Sequence, residues 1–461
     1  MCRIGLLPLY IELYDSILPE KRAGFEAFYK QVVSELERRG VNVVATQVCR
    51  LRTEFREAVE QLERADVDLL VTLHLAYSPS LESVSVLAQT PLPLLVLDTT
   101  PAHDFGPGQE SGEILFNHGI HGVQDLCNQL IRNGKRFELE AGHWKESDVL
   151  DRVVSWAAAA HTAASLRKAR VGLIGSPFEG MGDFAVPIPK IAETTGIQTI
   201  CYDPSLSAEL LPAGDDPEVT AEMRADVERF DARTADAALH RITTRSGLAV
   251  RRWIEREKLT AFSFNFLDIT RSLGLPTAPF LEASKAMARG IGYAGEGDIL
   301  TAGLVGALAS SYRVSFTEMF CADWKGNQVF LSHMGEMNLS LSADRPVLMN
   351  KPFSFTDVED GVVAVGRFRS GPAALVNLAP LPCDKYKLIT APGSLPELSA
   401  EDKMTGTVRG WFKANLPVAE FLTEYSRRGG THHVALVYGE DVVSGIEKMG
   451  RLLGWDTAVL S

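Results

Sequence analysis

Two spacings of apolar residues predict the elements in the first part of this chain. Four short apolar runs are typical of β-strands, at 4–8, 42–46, 68–73 and 92–97. Between them, segments with apolar residues three and four positions apart predict amphipathic helices, at 21–39, 52–64 and 80–88. Such βαβ alternation favours a parallel, doubly wound sheet, which binds ligands beyond the carboxyl ends of its strands.

The alternation resumes after a helix predicted at 144–166 and changes character near residue 311. Strands are predicted at RVGLIGS, 198–202 and AFSFNF, with a long charged helix at 231–258. From Ser311 onward, β-like runs such as VSFTEMF, QVFLSH and GPAALVNL follow one another. The sequence therefore predicts an α/β protein: two doubly wound, Rossmann-like domains, 1–168 and 169–310, followed by a β-rich C-terminal domain, 311–461.

Composition and charge limit which binding partners and which cellular compartment we expect for the protein. The chain has 461 residues, a net charge of −13 and no basic cluster, which argues against nucleic acid or an anionic membrane surface as a partner. Its longest apolar run, near 299–309, is shorter than the ~18 residues that a membrane-spanning helix needs. The N-terminal segment meets acidic residues too early for a signal peptide. Six cysteines without a CxxC pair are typical of reduced thiols, so we expect a cytoplasmic protein.

The stretch 290–338 holds the candidate chemistry. Acidic residues and one histidine lie there among apolar and small residues, notably Glu296, Asp298, Glu318, Glu336 and His333. Period-2 alternation places Phe316, Glu318 and Phe320 on one face of a β-like run. An isolated buried charge is very costly, so these groups must be paired, hydrogen-bonded or metal-bound. Each alone is best explained as a polar residue at a turn, but Glu296, Glu318 and His333 together suit a divalent ion such as Mn, Mg or Zn.

Other histidines carry less weight. His432 and His433 follow two glycines and open an apolar strand. Adjacent residues on a strand point to opposite faces, so we expect at most one of these rings to be a metal ligand. The predicted loops of the first domain also contain histidines, but such positions are more often surface residues than ligands.

One glycine motif is a decoy. Gly290 to Gly295 formally matches GxGxxG, the dinucleotide-binding fingerprint. That fingerprint requires a preceding strand and a following helix, whereas a helix is predicted before these glycines. Glu296 would also point a carboxylate at the pyrophosphate. We therefore reject a nicotinamide-dependent dehydrogenase.

Several motifs, spread from the first domain to the last, carry a family resemblance. They are GYAGEGD, SFTE, KGN…SHMGE, GGTHH, HGVQDL…GHW and FEGMGD…FAVPIPK. In this order and with these flanking residues, the chain resembles the L-arabinose isomerases, in the superfamily that also holds L-fucose isomerase. The resemblance covers essentially the whole chain and implies their fold.

The resemblance also implies a site. It assigns Mn²⁺, or another divalent cation such as Co²⁺ or Mg²⁺, to four ligands: Glu296, Glu318, His333 and His433. Glu296 and Glu318 would also be the acid/base pair. Further positions implied for activity or sugar contact are Asp298, Phe316, Glu336, His432, Met181, Phe266, His121 and Tyr77.

The sequence departs from the family pattern at positions expected to contact the sugar, whereas the expected metal ligands are retained. Ile299 and Leu300 follow GEGD where the family usually has Trp-Lys, and the first loop reads LLPLYIELYD. We therefore expect an aldose–ketose isomerase that acts on a free pentose, hexose or deoxy sugar through an enediol(ate), with an altered sugar pocket. The resemblance implies a homo-oligomer, a trimer or hexamer with active sites between subunits. The alternative is a non-catalytic sugar-binding protein on the same fold.

Overall fold

Parallel strands build the first part of the chain. The computed structural model describes residues 2–398 and 401–461, and contacts divide the chain into two units, Met1–His161 and Thr162–Ser461. The strands of unit 1 are β1 (Arg3–Leu9), β2 (Asn42–Ala45), β3 (Leu69–His74), β4 (Leu94–Asp98) and β5 (Glu138–Ala141). They form one parallel sheet in the order β2-β1-β3-β4-β5.

Amphipathic helices accompany this sheet. They are α1 (Glu12–Ile17), α2 (Arg22–Arg38), α3 (Arg52–Arg64), α4 (Ser80–Gln89), α5 (Ile114–Asn117) and α6 (Gly119–Arg132). In α3, Phe55, Val59 and Leu62 are buried while the charged positions face out, as the spacing predicts. Helix α7 (Val149–Arg167) contains the boundary between the units.

A second parallel sheet opens unit 2. Its strands are β6 (Arg170–Ile174), β7 (Gln198–Cys201), β8 (Ala261–Phe264) and β9 (Gly292–Gly295), in the order β7-β6-β8-β9. The helices of this part are α8 (Ile188–Thr195), α9 (Ser207–Leu210), α10 (Pro217–Arg229), α11 (Ala237–Glu257), α12 (Phe280–Ala288) and α13 (Ile299–Ala309).

Mostly antiparallel strands follow. They are β10 (Arg313–Asp323), β11 (Gln328–Ser332), β12 (Val347–Lys351), β13 (Gly361–Val365), β14 (Gly371–Leu381), β15 (Lys385–Leu395), β16 (Gly410–Ala414), β17 (His433–Tyr438) and β18 (Asp456–Val459). Six of them run in the order β14-β17-β10-β11-β16-β15, and pairing of β14 with β15 closes the ring into a barrel. Strand β18 adds to β15, β12 pairs with β13, and the last helices are α14 (Val418–Arg427) and α15 (Val442–Leu453).

Helix α13 joins the parallel sheet and the barrel of unit 2. Its sequence, ILTAGLVGALA, is apolar on every side, and nine of its eleven residues are buried. A helix of this kind must be covered all round, and α13 packs against β6, β8 and β9 of the parallel sheet and β10, β14 and β17 of the barrel. The start of α13 is therefore held at the junction of the two sheets.

The predicted fold class is confirmed, with parallel α/β sheets followed by an antiparallel β-rich part. The three predicted domain boundaries stay a prediction. Helix α10 and strand β9 were not predicted, because the sequence of α10 is largely polar and that of β9, GYAG, is rich in glycine. The prediction that Phe316, Glu318 and Phe320 share one face is wrong for Phe320. The register of β10 against β11 shifts between Met319 and Cys321, and Phe320 is half exposed.

All six cysteines are free. Among the described residues, no helix combines the length and the apolar character that crossing a membrane requires.

A buried histidine at the end of β3 makes unit 1 sensitive to acid. His74 is 3% exposed, and neither ring nitrogen has a hydrogen-bond partner among residues 2–398 and 401–461. Burial lowers the pKa of His74 to about 3, against a smaller opposing effect of Asp125. The unfolded chain, with an ordinary histidine pKa near 6.5, therefore binds a proton that the folded chain does not. This contribution to stability is complete above pH 6.5 and is lost as the pH falls towards 3.

We expect His74→Gln to flatten the pH dependence of stability. Between pH 6.5 and 5, the wild-type free energy of unfolding should fall by about 1.6 kcal/mol more than that of the variant, since the unfolded histidine goes from half to almost fully protonated and one proton changes the free energy by ~1.4 kcal/mol per pH unit. Denaturant unfolding of both proteins at several pH values measures this difference. Parallel curves would show that His74 is not buried in its neutral form.

Candidate metal and active centre

A strained turn presents Glu296. This residue follows β9 directly and has φ +63°, in the left-handed region that side chains other than glycine rarely adopt. Gly295 precedes it, where a Cβ would lie 2.8 Å from Cε1 of His333; a Cβ on Gly297 would lie 2.6 Å from Cα of Pro177. The GEG sequence thus lets the backbone turn in a crowded place. Left-handed residues of this kind are typical of functional sites.

Neighbouring barrel strands present the other groups. Glu318 on β10 stands directly opposite His433, the first residue of β17, so both side chains lie on the same face. On its other side, Glu318 pairs with Ser332, the last residue of β11, and His333 follows. One position of β10 therefore gathers groups from three strands.

The groups converge tightly. Glu296, Glu318, His432 and His433 each offer a ligand atom, and these atoms all lie within 4.8 Å of one another. Nε2 of His433 is 3.1 Å from Oε1 of Glu318 and 3.5 Å from Oε2 of Glu296. Nε2 of His432 is 3.5 Å from the same two oxygens. His333 lies at the margin, with Nε2 4.0 Å from Oε1 of Glu318.

Both rings of the 432–433 pair thus reach the carboxylates, and the expectation that strand geometry would separate them is wrong. The strand begins only at His433, so alternation does not apply to His432. The ring centroids are 4.2 Å apart. His433 is fully buried, whereas 37% of the His432 side chain is exposed.

The residues present fit a divalent cation. Oε2 of Glu296 and Nε2 of His433 are buried, and neither has a hydrogen-bond partner in the described part of the chain. Buried polar atoms without partners are rare in folded proteins and call for an explanation. Carboxylate and imidazole donors without a thiolate suit Mn²⁺, Mg²⁺, Co²⁺ or Zn²⁺.

A second layer of carboxylates fixes the ring of each histidine. Nδ1 of His433 donates to Oδ2 of Asp298 at 2.9 Å, Nδ1 of His333 to Oε2 of Glu336 at 2.8 Å, and Nδ1 of His432 to Oδ2 of Asp183 at 2.6 Å. In each case the bond holds the proton on Nδ1 and leaves Nε2 facing the cluster. Histidines that bind metals are oriented by such partners.

These carboxylates are themselves held in place. Oδ1 of Asp298 accepts from the amide of Thr301 at 2.9 Å and so begins α13. The other oxygen of Glu336 accepts from the hydroxyl of Tyr293 at 2.7 Å. Phe184 stacks on His433 with ring centroids 5.3 Å apart, and the Phe316 ring lies edge-on to both His333 and His433. The rings therefore have little freedom to turn.

The charges at this centre attract a cation. Burial would raise the pKa of Glu296, but the His432 and His433 rings outweigh it and lower the pKa to about 2. Burial would lower the pKa of His432, but Asp183 and Glu296 raise it to about 9. The pKa of His433 also lies well above its usual range, because Asp298, Glu296 and Glu318 outweigh burial. The carboxylates favour positive charge here, which protons on the rings or a divalent ion can supply.

Comparison with known proteins shows similarity to one enzyme family. Residues 218–311 match the L-arabinose isomerase central domain, and residues 313–453 match the L-arabinose isomerase C-terminal domain; together these matches cover just over half of the chain. The chain belongs to the L-arabinose isomerase family.

Curated relatives extend the likeness to most of the chain. The L-arabinose isomerase of Shouchella clausii is 24% identical over 94% of this chain and 89% of its own length. Those of a Nocardioides species and of Bacillus licheniformis are each 25% identical over 91% of this chain, covering 89% and 86% of their own lengths. These relatives are sugar isomerases by name, which confirms the enzyme class and the family predicted from the sequence.

The remaining residues implied by the L-arabinose isomerase resemblance lie in both units. In unit 2, Met181 lies in the loop after β6, and the Phe266 ring is 5.8 Å from Phe178, whose amide donates to the Glu296 carbonyl at 2.9 Å. In unit 1, the Tyr77 hydroxyl donates to Asp125 at 3.3 Å, and His121 is an exposed residue in the first turn of α6. Their contact with a sugar stays a prediction.

The sequence missed two neighbours of the centre. Asp183 is the last residue of the FEGMGD motif and was given no role of its own, and its bond to His432 joins positions 249 residues apart. Tyr293 lies within the rejected GxGxxG segment. A signal was present for Asp183, since it is an acidic residue in a Gly-rich loop after a parallel strand, where α/β proteins place ligands.

Proposed function

We propose that this chain is a metal-dependent aldose–ketose isomerase acting on a free pentose, hexose or deoxy sugar. The observation that carries the proposal is the cluster of two carboxylates and two imidazoles with ligand atoms within 4.8 Å. Two of these atoms, on Glu296 and His433, are buried without a hydrogen-bond partner among the described residues. Membership of the L-arabinose isomerase family supplies the reaction class.

Two glutamates are suited to the proton transfers. An aldose–ketose isomerisation moves one proton between C1 and C2 and another between their oxygens, through an enediol(ate). A bound divalent ion supplies Lewis acidity, which polarises the sugar carbonyl and makes the neighbouring C–H more acidic. Of Glu296 and Glu318, one removes the proton from carbon and the other returns a proton to the neighbouring carbon or oxygen. Because both face the same small space, a substrate there contacts both carboxylates.

The ion we propose is Mn²⁺, with Co²⁺ or Mg²⁺ as alternatives. The ligands we propose are Glu296, Glu318, His333 and His433. His432 is proposed to take part in the reaction and not to bind the metal. The family resemblance supports His333, whereas the distances favour His432 as the nearer ring. Asp183 fixes His432, and the exposed edge of this ring suits contact with a substrate.

Two alanine variants decide between the histidines. We expect His333→Ala to weaken Mn²⁺ binding by tenfold or more, about the effect of losing one ligand or its support. His432→Ala should retain the metal but lose turnover. Calorimetric titration of each metal-stripped variant with Mn²⁺ measures its affinity for the ion without any activity assay. The reverse pattern would make His432 the ligand, as the distances suggest.

A sugar panel tests the reaction. With Mn²⁺, at least one free pentose, hexose or 6-deoxy sugar should be converted to its ketose, and product formed in D₂O should carry deuterium at the carbon that receives the proton. The altered sugar pocket leads us to expect a best substrate other than L-arabinose. Binding of sugars without conversion of any would favour the alternative, a non-catalytic sugar-binding protein. Conversion without solvent label would contradict simple proton transfer by Glu296 and Glu318.

We further propose a cytoplasmic homo-oligomer, a trimer or hexamer with active sites between subunits. The resemblance supports this assembly, and the absence of disulfides among the six cysteines suits a reducing compartment. Analytical ultracentrifugation measures the assembly directly, and a monomer at micromolar concentration would contradict it.

A further inference from the structure

A second cavity lies in unit 2, apart from the residues of the metal centre. It has a volume of about 490 Å³ and lies among α10, α11 and α12. Four cationic side chains line it: Arg229, Arg251, Lys285 and Arg289. Phe230 and Pro346 supply an apolar wall. A volume of this size is typical of sites for small molecules.

Three buried or half-buried carboxylates compensate most of this positive charge. Lys285 Nζ lies 2.7 Å from Glu222 and 2.5 Å from Asp226. Arg251 lies 2.8 Å from both Glu222 and Glu282, and Arg289 also pairs with Glu282. These bonds tie the three helices together, which is a structural role sufficient for Arg251 and Lys285.

One cation is left over. Arg229, the last residue of α10, is exposed and has no carboxylate within ion-pair distance among the described residues. The cluster therefore carries four cations against three carboxylates, in a chain whose net charge is −13. The pKa of Glu222 reflects this excess of positive charge. Burial would raise the pKa, but Arg251 and Lys285 outweigh burial and hold it well below its usual range.

Arg289 adds donors beside Arg229. Its side chain is 40% exposed, and one nitrogen bonds Glu282, which is 2% exposed and already shared with Arg251. Guanidinium groups present several N–H donors in a plane, which matches the oxygens of a phosphate or carboxylate. The apolar wall suits the remainder of an organic anion.

We infer that this cavity binds a small organic anion through its phosphate or carboxylate oxygens, with Arg229 and Arg289 as the recognising groups. Lys285 and Arg251 form the floor together with their paired carboxylates, and Arg229 supplies the uncompensated positive charge. Three arginines favour a phosphate ester, and the volume accommodates a phosphorylated monosaccharide. The site is separate from the proposed sugar site and does not depend on the proposed reaction.

Calorimetry on the metal-loaded protein, dialysed to remove free metal, tests this inference with three probes: inorganic phosphate, glucose 6-phosphate and glucose. We expect both phosphates to bind and glucose not to bind at this site. Arg229→Ala should weaken phosphate binding about tenfold or more, the usual effect of losing a charged hydrogen bond. Arg224→Ala is the matched control, since Arg224 is exposed on the same helix but does not line the cavity; it should bind as wild type.

Four results would overturn the inference. They are equal binding by wild type and Arg229→Ala, equal losses in the Arg229 and Arg224 variants, no binding of either phosphate up to about 10 mM, and loss of phosphate binding when the metal is removed. Dependence on the metal would assign the anion to the metal centre. Arg289→Gln, checked by circular dichroism, gives a second variant at an exposed position. These measurements use binding alone, so a protein without isomerase activity would leave the test intact.

Discussion

Glu318→Gln should reduce kcat by about 10³-fold, within the roughly 10²–10⁴-fold that general acid–base catalysis contributes. The amide cannot accept a proton from carbon, and it is a poor ligand for a divalent ion. Glu318 is at the centre of the cluster, with its Oε1 3.1 Å from His433 and 3.5 Å from His432. Its side chain is 13% exposed and has nearly the same shape as glutamine, so the fold should persist.

Steady-state kinetics and Mn²⁺ titration of the variant measure both effects. Asp323→Asn, at the far end of the same strand, is the control: the Asp323 carboxylate accepts hydrogen bonds from Gly326 and Gln328 in the neighbouring hairpin. This control should keep wild-type kcat and metal affinity. A Glu318→Gln enzyme with more than a tenth of wild-type kcat would remove Glu318 from the proton transfer.

His433→Ala should lose both the metal and part of the fold's stability. His433 is fully buried, and its partner Asp298 is fully buried as well. Removing one member of a buried charged pair typically costs about 3–5 kcal/mol, because the other is left uncompensated. We therefore expect a lower free energy of unfolding together with loss of tight Mn²⁺ binding.

A second buried His–Asp pair in the same unit separates these effects. His240 lies 2.9 Å from Asp226, both are nearly inaccessible, and neither belongs to the metal cluster. His240→Ala should also lower the free energy of unfolding, by less than His433→Ala because Lys285 still compensates Asp226, and leave Mn²⁺ affinity unchanged. If both variants lost the metal equally, the loss would be a consequence of destabilisation and not of a missing ligand.

Periodic segments were predicted well, because apolar spacing reports directly which face is buried. Helix α3 was predicted at 52–64 and is observed at Arg52–Arg64. Strand β9 was not predicted, since GYAG contains two glycines and resembles a turn. Its parallel pairing with β8 is a long-range contact that spacing does not reveal. The bulge at Phe320 has the same origin, because only the partner strand β11 shows where the register shifts.

The candidate site was predicted as a set of residues, but not as a geometry. Glu296, Glu318 and His433 were chosen from their sequence surroundings and the family resemblance, and they converge. The position of His432 beside the same carboxylates depends on where β17 begins, which is fixed by its pairing with β10 and β14. Asp183 was overlooked as a partner because nothing in local sequence connects it to a residue 249 positions away.

The double role of Asp298 bears on how a protein of this kind can evolve. One carboxylate oxygen of Asp298 caps the N-terminus of α13, and the other accepts a hydrogen bond from His433. A substitution there therefore removes a helix cap and a buried ion pair together. Such a chain would be less abundant in the cell, since proteases degrade its larger unfolded fraction. Glu318 begins no helix, and its loss should leave a folded protein. Gene duplicates that drift from catalysis to sugar sensing are therefore expected to lose Glu318 early and to keep Asp298.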